Sequence, residues 1–293
     1  AGVEKSMKLF EKISIIGVGL LGASLAKACR RYNLVEEISG FGRNRENLDK
    51  AKSLGVIDRC AKDLPDAVKD ADLVVLCTPV SKIFPVIETF LPHLKQGVVI
   101  TDVGSVKGPL VHQLDDLMPE GIFFVGSHPI AGGEKSGLEA SREDLYLNAK
   151  CILTPTSKTD THAFGKVDAL WKAVGMETLT LDADEHDFVF GAVSHLPHIV
   201  AYALMNTLGA LRTKQDREVT AYSGAGLKDI TRIASSDPVM WRDICLSNQT
   251  NSLDLIDRFQ KTLNDLRSVI EKNDSKALEE TFVAANKYRM KVI

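Results

Sequence analysis

One ten-residue stretch constrains this chain more than any other. The apolar run Ile13-Ser14-Ile15-Ile16 leads directly into Gly17-Val18-Gly19-Leu20-Leu21-Gly22, and a helix-length amphipathic segment follows to about Arg31. The pattern GxGxxG recurs by chance, but between a strand and a helix it has a specific physical use. The first glycine makes the tight turn, the second admits a pyrophosphate to the backbone, and the third lets helix and strand approach. Gly17, Gly19, Leu20, Leu21 and Gly22 are therefore candidate dinucleotide-binding positions, with phosphates facing the helix N-terminus.

The rest of the first half repeats this alternation. Ile38–Phe41, Leu73–Cys77, Val98–Asp102, Phe123–Gly126, Cys151–Thr154 and Thr178–Leu181 are strand candidates separated by turns and helix-length segments, the pattern of a parallel sheet with helices on both faces. After Asp182 the strand-like runs stop. Asp184–Gly209, Pro238–Asn248, Asn251–Asn273 and Ser275–Lys291 read as helices. This predicts an α/β, Rossmann-like dinucleotide-binding domain over 7–181 and an all-helical domain over 182–293. Ala1–Ser6 are read as a short tail outside the fold.

In dinucleotide-binding turns of this kind an acid commonly ends the second strand and accepts hydrogen bonds from the ribose 2′-hydroxyl. Here that place holds Gly42, followed by Arg43, Asn44 and Arg45. Removing the carboxylate removes repulsion toward a 2′-phosphate, and a guanidinium fork suits one. The reading favours NADP, with NAD open if the two arginines are ordinary solvated charges. Thr78 and Pro79, after the Leu73–Cys77 strand, are further candidates for the cofactor site.

Charge narrows the partners. The 293 residues carry 36 Lys plus Arg against 39 Asp plus Glu, a formal net charge of −3, so the global basic surface that binds nucleic acid is not expected. The strand-length apolar runs predict no membrane segment. Five scattered cysteines with no CxxC pair argue against a disulfide framework or a structural metal; a reducing compartment is the default, and the expected location is the cytoplasm.

Cations and histidines instead gather on four segments. They are Asp102–Gly108 after one strand, Gly126–Gly137 just beyond another, Ser194–His198 on the first helix of the second half, and Gly224–Arg242 downstream. Lys107, Lys135, Lys228 and Arg232 are expected to face a dianionic small molecule. His195 and His198 have metal-ligand spacing on a helix but no third ligand, so they are read as pocket-lining. His93, His112 and His162 read as surface residues, and His186 is given no role.

Together the segments GVGLLG, DVGSVKG, GSHPIAGGEKSG, VSHLPH and GLKDITRIASSDPVMWRDI resemble the prephenate dehydrogenase family, including its arogenate and cyclohexadienyl variants, over nearly the whole chain from Met7. The resemblance implies NAD(P)-dependent oxidative decarboxylation, a Rossmann-like domain followed by a helical one, and a homodimer. It also implies that His128 assists deprotonation of the substrate's ring hydroxyl and must be neutral to do so. Ser105 would hold His128, that hydroxyl and the nicotinamide in register, and Arg232 would bind a substrate carboxylate. His195, His198, Glu134, Lys228 and Trp241 would lie around the same pocket. Gly133 departs from the family, standing where relatives can carry a hydroxyl-bearing residue. The expected substrate is prephenate, with arogenate as alternative. A β-hydroxyacid dehydrogenase or a non-catalytic NADP-sensing module is a more remote reading.

Overall fold

The computed structural model describes residues 8–133 and 135–292, so the expected tail Ala1–Ser6 lies outside the described residues, as does Glu134. Eight strands form one sheet: β1 (Phe10–Ile16), β2 (Val35–Phe41), β3 (Arg59–Cys60), β4 (Leu73–Leu76), β5 (Val99–Asp102), β6 (Phe123–Pro129), β7 (Lys150–Thr154) and β8 (Glu177–Thr180), in spatial order 3-2-1-4-5-6-7-8. Helices α1 (Leu20–Arg31), α2 (Arg45–Ser53), α3 (Leu64–Val68), α4 (Val80–Phe90), α5 (Gly108–Leu117) and α6 (Thr161–Ala173) make the crossovers. Strands β1 to β6 are parallel, β7 runs antiparallel to β6, and β8 is parallel to β7.

Both faces of the sheet are buried, which is why its central strands read as continuous apolar runs. Leu73 and Val75 pack into the cluster around α1 and Trp171. Val74 and Leu76, one residue out of phase, pack into the cluster around α4 and α5. The two-residue β3 was too short to register as a strand in the sequence.

Chain order reverses between β1 and β4, and open α/β sheets bind ligands at such a switch point, outside the carboxyl ends of the strands. The glycine turn stands there. Gly17 has φ +105°, and a Cβ on it would meet the Cys77 carbonyl oxygen at 2.5 Å. A Cβ on Gly22 would collide with the Gly17 carbonyl oxygen, whereas one on Gly19 would have nothing within 4 Å.

Helices fill the rest: α7 (Ala183–Phe190), α8 (Leu196–Gly209), α9 (Ala225–Thr231), α10 (Pro238–Ser247), α11 (Gln249–Glu271) and α12 (Ser275–Arg289). Asp182 caps α7 by accepting from the amides of Asp184 and Glu185. A π-helical turn, Gly191–His195, joins α7 to α8 without a break. Contrary to the expectation of strand-length apolar runs only, the continuous helix Ala183–Gly209 is, by length and composition alone, long and apolar enough to cross a membrane. Many apolar side chains here lie open, including Val193, Ile230, Leu253, Leu263, Ile270, Phe282 and Val283, and α12 buries none of its residues.

Candidate active site

The proposed cofactor end of the crevice is built from backbone. Gly19 precedes α1 with no side chain capping the helix and no acid in its first turn, and the space beside its Cα is open. Leu20 and Leu21 pack half-buried against the core. Across the switch point, Thr78 carries a buried hydroxyl without a hydrogen-bond partner among the described residues, and Pro79 stands at the N-cap of α4. A cradle that a Cβ would fill and an orphaned hydroxyl beside it suit a dinucleotide. After β2, Arg43 is exposed. The Asn44 side chain caps α2, accepting from the Asn47 amide at 3.0 Å. Arg45 pairs with Asp49 at 3.2 Å, so of the two arginines its charge is already engaged.

The loop after β5 is pinned from within. Asp102, fully buried, accepts from the Gly104 amide at 2.8 Å and the Ser127 amide at 3.2 Å, and it pairs with the Lys107 ammonium. Lys107 also donates to the Ser127 carbonyl at 3.0 Å and is itself fully buried. The expectation that Lys107 faces the substrate is thereby corrected. Its charge is consumed by Asp102, because an unpaired carboxylate at that depth would be too costly. Ser105, half-buried, sits between these anchors.

His128 is a strand residue, not a loop residue beyond the strand: β6 runs on through Pro129, and His128 is in register with Ile152 of β7. Its Nδ1 lies 2.8 Å from Nε2 of His186, whose Nδ1 lies 2.8 Å from Oδ1 of Asp187. Asp187 also accepts the amides of Lys107 at 2.7 Å and Gly108 at 2.8 Å, which ties α7 to the β5 loop.

The chain of acceptors fixes the protons. A carboxylate only accepts, so His186 carries hydrogen on Nδ1 and offers a lone pair from Nε2. His128 must then donate from Nδ1, leaving its lone pair on Nε2. Burial first, then His186, Lys107 and His195, hold the His128 pKa well below the usual histidine value. Burial likewise lowers that of His186, against the opposing pull of Asp187. Phe190 packs against both rings at centroid distances of 4.8 and 4.6 Å.

His195 belongs to the same cluster. It is 1% exposed, its Nδ1 lies 3.1 Å from Nδ2 of Asn248, and burial pushes its pKa down to about 4. His198 stacks on Trp241 at 3.5 Å between centroids, and its Nδ1 donates to the Ser194 carbonyl at 2.9 Å. Its pKa is lowered chiefly by burial, with a contribution from the nearby Arg232. Trp241 packs with Val106 and Ile244, and its buried Nε1 has no partner among the described residues. Arg232 and Lys228 are exposed, as is Lys135. His93 and His162 are exposed as expected, and so is His112, which pairs with Asp184 at 2.9 Å.

Sequence reasoning missed three residues here. His186 and Asp187 sit in the acidic start of α7, where they resemble ordinary capping charges, and Asn248 resembles a helix stop. The π turn hides their relation to His195. At about 100° per residue, nine residues of regular helix would put His186 and His195 on opposite faces. A wider turn rotates them toward one another.

Comparison with known proteins agrees with this architecture. Residues 25–179 match the family model described as "Prephenate dehydrogenase, nucleotide-binding domain", and residues 182–284 match "Prephenate dehydrogenase, dimerization domain". The chain is 36% identical to the cyclohexadienyl dehydrogenase of Zymomonas mobilis, covering 97% of both chains. The crystal structure of prephenate dehydrogenase from A. aeolicus, in complex with hydroxyphenyl propionate and NAD+, superposes with a TM-score of 0.91 at 40% identity, covering 99% of this chain and 100% of that one. Synechocystis arogenate dehydrogenase follows at 0.83 and 28%, covering 96% and 100%. The chain is an oxidoreductase of the prephenate dehydrogenase family.

Proposed function

We propose that this enzyme oxidises prephenate to 4-hydroxyphenylpyruvate and carbon dioxide, with His128 as the proton acceptor. The observation that carries the reading is the His128–His186–Asp187 chain, which leaves a neutral His128 with its lone pair on Nε2. A bound nicotinamide supplies the acceptor for the hydride of the ring carbinol carbon. His128 takes the hydroxyl proton as that carbon becomes a carbonyl. The ring carboxylate then leaves as carbon dioxide, its bonding electrons aromatise the ring, and the proton returns to the phenolate oxygen. Aromatisation makes the sequence strongly downhill, so the residues are needed for placement more than for an electron sink. Ser105 would steady the hydroxyl beside His128. Arg232 and Lys228 would hold carboxylates, with His195, His198, Trp241 and Glu134 completing the pocket.

Gly17, Gly19, Leu20, Leu21, Gly22, Thr78 and Pro79 would hold the dinucleotide, with Arg43 and Asn44 at its adenosine end. With Gly42 where an acid would follow β2, and with Arg43 exposed and unpaired among the described residues, we favour NADP. NAD is the second reading, favoured by the NAD+ in the complex of the A. aeolicus enzyme. Prephenate is preferred over arogenate because the similar prephenate enzyme stands at 40% identity and the arogenate enzyme at 28%. The open apolar faces of α11 and α12 fit a homodimer through the helical half. Steady-state rates with prephenate and arogenate against NADP and NAD test the reading directly.

A further inference from the structure

Asn248 lies at the junction of α10 and α11, 4% exposed, with no place in the chemistry described so far. Its amide makes three contacts that together fix its orientation. Nδ2 donates to the Asp187 carbonyl at 2.7 Å, and Oδ1 accepts from Nδ2 of Asn251 at 2.8 Å. A carbonyl can only accept, so the nitrogen must face Asp187 and cannot be exchanged with the oxygen. The second hydrogen of the same nitrogen points to Nδ1 of His195 at 3.1 Å. That ring nitrogen must therefore accept, and neutral His195 carries its hydrogen on Nε2. The close approach has been provided for at Gly191, where a Cβ would come within 3.3 Å of the Asn248 nitrogen and 2.9 Å of Leu255.

We propose that Asn248 is a positioning residue that holds His195 in its Nε2–H tautomer. Paired with His128, whose lone pair is on Nε2, the cluster then offers one histidine acceptor and one histidine donor to the same substrate. The donor suits an anionic oxygen, and it needs no positive charge on the ring. The groups facing His195 are Asp187 and His186 from α7, His128 from β6, His198 from α8, Trp241 from α10, and Asn248 from the α10–α11 junction. Burial outweighs the attraction of Asp187 and keeps the ring neutral. Without the amide, nothing in this set would distinguish the two neutral tautomers by a direct hydrogen bond to Nδ1.

The assignment of His195 as a substrate donor rests on the proposed reaction, but the tautomer does not, so the two can fail separately. Histidine ring 15N spectra of the full-length protein, with the His195 signals identified by their loss in His195→Gln, read the tautomer without any substrate. Wild type should show a protonated Nε2 and an unprotonated Nδ1 at pH 7. Asn248→Asp keeps the shape and can no longer donate to Nδ1, so it should move the hydrogen to Nδ1 and raise the His195 pKa. Its KM for prephenate should rise about tenfold or more while the dissociation constant for the cofactor stays within about twofold, the tenfold change being the scale of one lost hydrogen bond. Asn248→Ala, which removes the donor without adding charge, should show mixed tautomers and an intermediate KM. An Nδ1–H tautomer in wild type, or an unchanged tautomer in both variants, overturns the proposal. A correct tautomer with unchanged KM overturns the donor role alone.

Discussion

His128 Nδ1 and His186 Nε2 stand 2.8 Å apart, one on a strand of the sheet and the other on the first helix of the helical half. This contact spans the two parts of the molecule and decides which nitrogen of His128 is left to accept a proton. It also makes the His128 tautomer depend on Asp187, a residue whose carboxylate simultaneously holds the amides of Lys107 and Gly108.

Asp187→Asn should therefore act through the tautomer. The amide presents a donor or an acceptor to His186 with little preference, and His128 loses its fixed Nδ1–H. We expect kcat to fall by about 10²-fold or more, toward the loss produced by a wrong tautomer in a histidine–carboxylate pair, with cofactor binding nearly unchanged. Steady-state kinetics and a cofactor titration check it.

The acid limb of kcat/KM should lie below the usual histidine range. In the proposed mechanism His128 and His186 act as neutral rings, and burial lowers the pKa of each, so protonation is postponed to lower pH. A limb with a midpoint at or above about 6.5, the unperturbed value, would contradict this.

The same burial makes folding stability fall in acid. An unfolded His195 binds its proton near pH 6.5, whereas the folded one refuses it until about pH 4. Between these values the unfolded state holds more protons, and stability declines as pH drops through that window, by up to about 3 kcal/mol for this residue. His195→Gln should flatten that part of a denaturant-derived stability profile.

Lys107→Met should destabilise the fold by about 3–5 kcal/mol, because it strands the buried Asp102 carboxylate. Adding Asp102→Asn should recover part of that loss. Equal damage from the single and double variants, measured by urea unfolding, would argue that Lys107 acts elsewhere.

The glycine turn separates folding from binding. Gly22→Ala drives a methyl into the Gly17 carbonyl and should lower thermal stability, whereas Gly19→Ala meets nothing within 4 Å. The latter should fold normally and weaken cofactor binding, as calorimetry would show.

The sheet and its switch point were legible because each depends on local pattern. Ile13–Ile16 and Leu73–Leu76 announce buried strands by composition, and the three glycines announce the turn by spacing. The site was legible only in part. His128 and Trp241 stood out within characteristic segments, but the extension of β6 through His128 depends on an antiparallel partner 24 residues away at Ile152. Lys107 misled because a lysine in a glycine-rich loop at a strand end reads as a cation facing the ligand until Asp102 is seen beneath it. His186, Asp187 and Asn248 were hidden because their contacts depend on a π turn and on the angle between two halves of the chain, neither of which a local pattern encodes.

The most direct measurement is reduced-cofactor formation by wild type and His128→Asn, with prephenate and arogenate as substrates and NADP and NAD as acceptors. Wild type should turn over, fastest with prephenate, and the variant should lose about 10²–10⁴-fold while cofactor still binds. No turnover with either substrate under either cofactor, or a variant of near-normal rate, would contradict this.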